Sequence, residues 1–273
     1  MENLGTIKKY HVAKETPLGY MITNGKDEYF LHRAETNYQA IIPGDTVSAF
    51  IYLDKKDRPT ATLHAPKITI DTAAFVTVVS VMKSAGVFVD IGISKDIFLS
   101  KDDLPKDESA WPKPGDRLMC RLRVKAGRLL ARPLVIEEIP PGKGELATEA
   151  EGYVIRYYKE GVLLLTESGD IISVITGPRA GFRVGKKLTV RITERTERGY
   201  KGMLIEKFTD KDKEEILAYL RAHHGLMTIT DESGPEVIFK HFGISKKAFK
   251  TALGRLYKEK RIEILPGKII LIE

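Results

Sequence analysis

"KPGDRLMCRLRVKAGRLLARP" (residues 113–133) carries the grammar on which the fold turns. Pro114, Gly115 and Asp116 form a turn, after which Cys120, Leu122 and Val124 alternate with Arg121, Arg123 and Lys125. A period of two is the mark of a strand with one face in a core and one in solvent. Ala126 and Gly127 supply a second turn, and a short returning strand completes a hairpin. The buried column takes the apolar residues and Cys120, and the outer column takes the cations.

The same grammar occurs twice more. "PGDTVSAFIYLDKKDRPTATL" opens at Pro43 and "VGKKLTVRITERTERGYKGML" at Val184. Their turn glycines, Gly44, Gly115 and Gly185, are 71 (115 − 44) and 70 (185 − 115) residues apart. The inward columns read Val47, Ala49, Ile51, then Leu118, Cys120, Leu122, then Leu188, Val190, Ile192. Upstream of each hairpin lies a Gly-led apolar run split by a polar turn, and before that a first strand. Each unit thus holds five short strands, which makes the five-stranded OB-fold the economical closed form. The expected architecture is multidomain and mainly β: three tandem five-stranded OB-fold barrels at residues 1–67, 68–138 and 147–208. The Pro- and Gly-rich residues 139–146 are the linker before the third.

From residue 209 the period changes. Ile216, Leu217 and Leu220 share one helical face that ends at Gly225, and Pro235 opens a second helix. Ser245 caps a third, whose buried stripe is Phe249, Ala252, Leu253 and Leu256. A terminal hairpin turns at Pro266 and Gly267. Helix, helix, basic helix and hairpin over residues 209–273 make an α+β winged helix-turn-helix. Lys247, Lys250, Arg255 and Lys258 are its candidate nucleic-acid contacts.

The 273 residues are 42% hydrophobic, enough for a folded core, and carry a net charge of +7, which suits an anionic partner. No run is long and apolar enough for a signal peptide or a bilayer span, so a cytoplasmic protein without membrane contact is expected. The six histidines lack metal-ligand spacing and no phosphate-cradling glycine loop occurs, so neither enzyme activity, cofactor nor metal is expected. Binding chemistry is better represented. Single strands are held by aromatic platforms and by cations that track the backbone. The outward column of the hairpin strand offers Phe50 and Tyr52 in the first unit, Arg121 and Arg123 in the second, and Arg191 and Thr193 in the third. Tyr157, beside Arg156, is a further stacking candidate.

"GVFVDIG" (residues 86–92) resembles the Gly-aromatic signature of the ribosomal S-one RNA-binding domain, an OB-fold variant. The resemblance implies that Phe88 stacks on RNA. It also implies roles for His32, which precedes Arg33, Ala34 and Glu35, for Asp54 with Arg58, and in the second unit for Arg128. The second unit departs from the pattern at Val124, where the acid is missing, and the third has Leu163 where Phe88 would align. "FIYLDKKDRPTATLHAP" (50–66), "VDIGISKDIFLSKDDLP" (89–105) and the terminal winged helix together resemble the conserved virulence factor B family of bacteria. That likeness implies a post-transcriptional regulator. The leading reading is a non-catalytic single-stranded RNA-binding protein. The alternatives are a duplex-DNA regulator led by the winged helix, and a protein scaffold on translation or RNA-decay machinery.

Overall fold

The structure, a computed structural model, describes residues 2–158, 161–176, 182–205, 210–242 and 244–272. It divides into two compact units, Met1–Leu204 and Ile205–Glu273.

The first unit is three closed five-stranded barrels. The first comprises β1 (Ile7–Thr16), β2 (Gly19–Thr23), β3 (Glu28–His32), β4 (Thr46–Leu53) and β5 (Pro59–Thr62). The second comprises β6 (Ala74–Met82), β7 (Gly86–Asp90), β8 (Ile97–Ser100), β9 (Arg117–Lys125) and β10 (Arg128–Pro133). The third comprises β11 (Glu149–Tyr158), β12 (Gly161–Leu165), β13 (Ile171–Ile175), β14 (Lys187–Thr196) and β15 (Gly199–Leu204). In each, the long first strand pairs with both the second and the fourth strand, and the third runs parallel to the fifth. Closure leaves no free edge to template aggregation.

The repeated glycine has a definite task. The N–H of Gly44, Gly115 and Gly185 donates to the carbonyl of Val12, Val78 and Val154 at 2.8, 2.9 and 2.7 Å. Each valine N–H donates back to the carbonyl of the residue after the glycine, at 2.9, 2.9 and 3.0 Å. All three glycines take positive φ (98°, 90° and 82°), a conformation that side chains disfavour. Each first strand then bulges immediately after its valine, between Val12 and Lys14, Val78 and Ser80, and Val154 and Arg156. The bulge adds the coil a long strand needs to serve two partners. The strand period and the glycine period are therefore one device, a clasp that closes the barrel.

The barrels pack as one body. Leu4, Phe50, Tyr52 and Leu53 of the first share a buried cluster with Ile68, Leu118, Cys120 and Leu129 of the second. Lys95 Nζ crosses the junction to the carbonyls of Leu53 and Asp54, at 2.9 Å each. Between the second and third barrels, Arg117 lies 5.2 Å from the ring centroids of both Phe75 and Tyr153. Arg183 donates to both oxygens of the Asp116 carboxylate there, at 2.5 and 2.9 Å. Gly144 of the Pro/Gly-rich segment donates to Asp170 Oδ1 at 2.9 Å, so that segment is tied to the third barrel.

The second unit holds α1 (Asp210–Ala222), β16 (Leu226–Met227), α2 (Pro235–Phe242), α3 (Lys246–Lys258), β17 (Ile262–Leu265) and β18 (Lys268–Leu271). Ser245 Oγ accepts from Ala248 N–H at 3.1 Å to start α3. Ile216, Leu217, Leu220, Phe249, Leu253 and Leu256 form its core with Ile262 and Ile269. The hairpin gains a third strand, in the order β16-β18-β17. At two residues, β16 is too short to show a period.

Candidate nucleic-acid interface

Strand register lays out the outer face of the second barrel as rows. Phe88 stands opposite Phe98 on β7 and β8. Leu99 is beside Ala131 on parallel β10, which sets Leu130 next to Phe98, and Leu130 opposes Arg123 on β9. One row therefore reads Ser80, Phe88, Phe98, Leu130, Arg123. The next reads Gly86, Ser100, Arg132, Arg121. The rings of Phe88 and Phe98 are half-buried, 5.2 Å apart and tilted by 53°. Their inner neighbours Val87, Val89, Ile97 and Leu99 fill the core, so alternation forces both rings outward.

Gly86 makes room for this platform. A Cβ there would strike the Leu99 carbonyl and come 2.9 Å from the Phe98 ring. Gly19 and Gly161, at the same position of the other barrels, face the carbonyls of Leu31 and Val174 equally closely. Close strand approach accounts for the Gly-led runs in the sequence.

The equivalent rows differ between barrels. In the first, Lys14, Met21, Phe30, Thr60 and Tyr52 line up. Phe30 meets His32 edge-on at 6.1 Å. His32 is exposed, and its Nδ1 accepts from Ala34 N–H at 3.1 Å, which caps a 3₁₀ turn and leaves Nε2 to carry the proton of the neutral ring. Ser100 performs the same capping in the second barrel, with its Oγ 3.2 Å from Asp102 N. In the third barrel the row is Arg156, Leu163, Ser173, Lys201, Glu194, with no aromatic residue.

Several expected contacts stand elsewhere. Phe50 and Tyr52 do point out of their own barrel, but the second barrel covers them, leaving 1% and 4% exposed. Tyr52 Oη is bonded to Ser94 Oγ at 3.1 Å, and burial raises its pKa. These two rings are junction residues, not a stacking platform. Tyr157 packs against the cores of the second and third barrels. Its hydroxyl donates to the Phe182 carbonyl, and burial pushes its pKa up to about 12. It too is structural.

The cations divide similarly. Arg58 braces its own turn, donating from Nε and Nη2 to Asp54 Oδ2 at 2.9 and 2.7 Å. Backbone and side-chain donation by Arg58 holds the Asp54 carboxyl down to about 2. Arg123 is paired with Asp103 at 2.5 Å, and Arg121 lies 3.8 Å from Glu138. Glu138 is gripped by both terminal nitrogens of Arg132 at 2.5 and 2.6 Å, which holds its carboxyl down to about 2. The arginine column thus shares the face of Phe88 and Phe98, but it carries its own anions. Arg128 is exposed at the hairpin turn without a carboxylate partner among the described residues. On α3, Lys247, Lys250, Arg255 and Lys258 are all exposed, and Lys250 lies 3.4 Å from Asp231. Among the described residues no group of three or more His, Cys, Asp or Glu could hold a metal ion. No helix among them is long and apolar enough to cross a membrane.

Comparison with known proteins places this architecture. The chain is 35% identical over 262 residues to the uncharacterized protein YitL of Bacillus subtilis, covering 92% of this chain and 88% of that one. It is 35% identical over 243 residues to conserved virulence factor B of Staphylococcus aureus, covering 84% of this chain and 80% of that one. The chain belongs to the conserved virulence factor B family. Three family models agree on the parts: an S1 domain at residues 4–64, a CvfB first S1-like domain at 73–132 and a CvfB-like winged helix domain at 214–271. A multidomain protein with nucleic acid binding domains from Streptococcus pneumoniae, solved at 1.40 Å, matches the whole architecture. Its TM-score is 0.64 at 29% identity, over 100% of this chain and 99% of that one.

Within this conserved virulence factor B family chain, the two segments matched by S1-type models are the two barrels whose outer row carries a phenylalanine, Phe30 in the first and Phe88 with Phe98 in the second. Phe30 and Phe98 are the candidate platform residues that sequence reasoning missed. In "YFLH" (29–32) and "IFLS" (97–100) each Phe sits between two core residues. A run of three apolar residues reads as uniform core unless the alternation is followed through its middle member.

Proposed function

We propose that this protein is a non-catalytic single-stranded RNA-binding protein of the bacterial cytoplasm, acting as a post-transcriptional regulator. The observation that carries this reading is the Phe88–Phe98 pair on the outer barrel face, with Phe30 at the equivalent place in the barrel that shares a buried cluster with it. Splayed bases stack on such rings in single strands, whereas a duplex keeps its bases inside. Arg128 and the α3 lysines Lys247 and Lys258 supply phosphate contacts, with Lys250 and Arg255 on the same helix. The winged helix then adds affinity through effective concentration instead of reading a duplex. Kinship with conserved virulence factor B supports the regulatory role.

Fluorescence anisotropy with single-stranded RNA, single-stranded DNA and duplex DNA of matched sequence tests the proposal. The expected order is RNA tightest and duplex weakest, with affinity falling as salt rises. Duplex DNA binding tightest, and losing that preference when Lys247 and Lys258 become alanine, would give the lead to the winged helix.

A further inference from the structure

The arginine face of the second barrel is anomalous for an ion-paired surface. Three guanidiniums, Arg121, Arg123 and Arg132, adjoin the Phe88–Phe98 rows, and two carboxylates, Asp103 and Glu138, answer them. Both acids come from outside the sheet. Asp103 lies in the 3₁₀ turn after β8, and Glu138 in the 3₁₀ turn Ile136–Glu138 that follows β10. The match is incomplete. Arg123 meets Asp103 end-on through Nη2, and Arg121 stands 3.8 Å from Glu138. The Nε atoms of both arginines are buried without a hydrogen-bond partner. A buried donor left unmade costs free energy, and guanidinium bonds best when two donors face one anion.

We infer that this face is a phosphodiester-binding site held closed by the chain's own carboxylates. Asp103 and Glu138 occupy the positions of two backbone phosphates, and a single strand stacked on Phe88 and Phe98 displaces them. Its phosphates complete the Arg121 and Arg123 forks that the carboxylates leave half-made. The inference rests on the proposed stacking face for its ligand, and it names the regulation of that site: competition between internal acid and external phosphate. Glu138 is the more firmly held of the two, gripped by both terminal nitrogens of Arg132, while Asp103 meets Arg123 through one.

The test is a gain of function. Glu138→Gln and Asp103→Asn each remove a competing charge while keeping hydrogen-bonding capacity. Glu151→Gln removes a more exposed acid on the third barrel, ion-paired with Lys187, and controls for net charge. Anisotropy with a short single-stranded RNA across a salt series reads all three beside Phe88→Ala, with folding checked by Trp111 fluorescence. Each acid variant on the second barrel is expected to bind on the order of tenfold tighter. Its log–log salt slope should steepen by roughly 0.7 for every phosphate newly neutralised. Glu151→Gln should stay within about twofold of the parent chain, on the general weakness of screened surface charge. Should one acid variant not fold, the other decides. Acid variants that bind no tighter than the parent, or no tighter than Glu151→Gln, overturn the closed-site inference. Unchanged binding by Phe88→Ala would instead overturn the stacking face, and the acid variants would still report on the arginines.

Discussion

A chain with Phe88 and Phe98 both replaced by alanine is expected to keep its fold and lose most of its affinity for single-stranded RNA. Each stacked base contributes roughly 1–3 kcal/mol. Losing two platforms therefore weakens binding by at least about tenfold, at 1.4 kcal/mol per decade. Stability should fall much less. The rings face outward, half-exposed, and their mutual contact is a tilted pair worth about 0.5–1.5 kcal/mol. The core positions around them, Val87, Val89, Ile97 and Leu99, are untouched. Anisotropy and thermal unfolding on one preparation separate the two effects. A folded double variant with parental affinity would remove these rings from the site.

Phe50→Ala should show the opposite signature. Its side chain is 1% exposed and lies in the cluster shared by the first and second barrels. Truncating a buried phenylalanine costs about 3–5 kcal/mol. Much of that loss falls on the junction, so the two barrels should cease to unfold together. Trp111, the only tryptophan of the chain and buried beside the second barrel, reports on that side of the junction. Urea unfolding followed by Trp111 fluorescence and by protease cleavage within the first barrel should coincide in the parent chain and separate in Phe50→Ala. RNA affinity, measured where the variant is folded, should remain within a few-fold of the parent. If Phe50→Ala instead unfolds like the parent and loses RNA as Phe88→Ala does, Phe50 belongs to the site after all.

These two phenylalanines show how far the sequence carries and where it stops. Both sit outward on their strands, and alternation assigns both outward without error. What separates them is the neighbouring barrel, which buries Phe50 and leaves Phe88 open, and no local period encodes that. Arg121 and Arg123 make the same point with charge. Their column is plain in the sequence, but Asp103 and Glu138, which pair with the face, come from turns 18 (121 − 103) and 17 (138 − 121) residues to either side of Arg121. The clasp glycines were legible because a backbone hydrogen bond recurs at a fixed distance along the chain. The winged helix was legible because capping by Ser245 and the apolar stripe of α3 are local. The hydroxyl of Tyr157 finds its partner on the Phe182 carbonyl, 25 residues away, which no local pattern around Tyr157 encodes.

Photo-crosslinking to single-stranded RNA carrying a photoreactive uridine, followed by peptide mapping, tests the central claim most directly. The account predicts crosslinks in the peptides that hold Phe30, Phe88 and Phe98, and fewer or none in those that hold Phe50 and Tyr52. Crosslinks confined to the α3 segment, with the barrels unmarked, would contradict it.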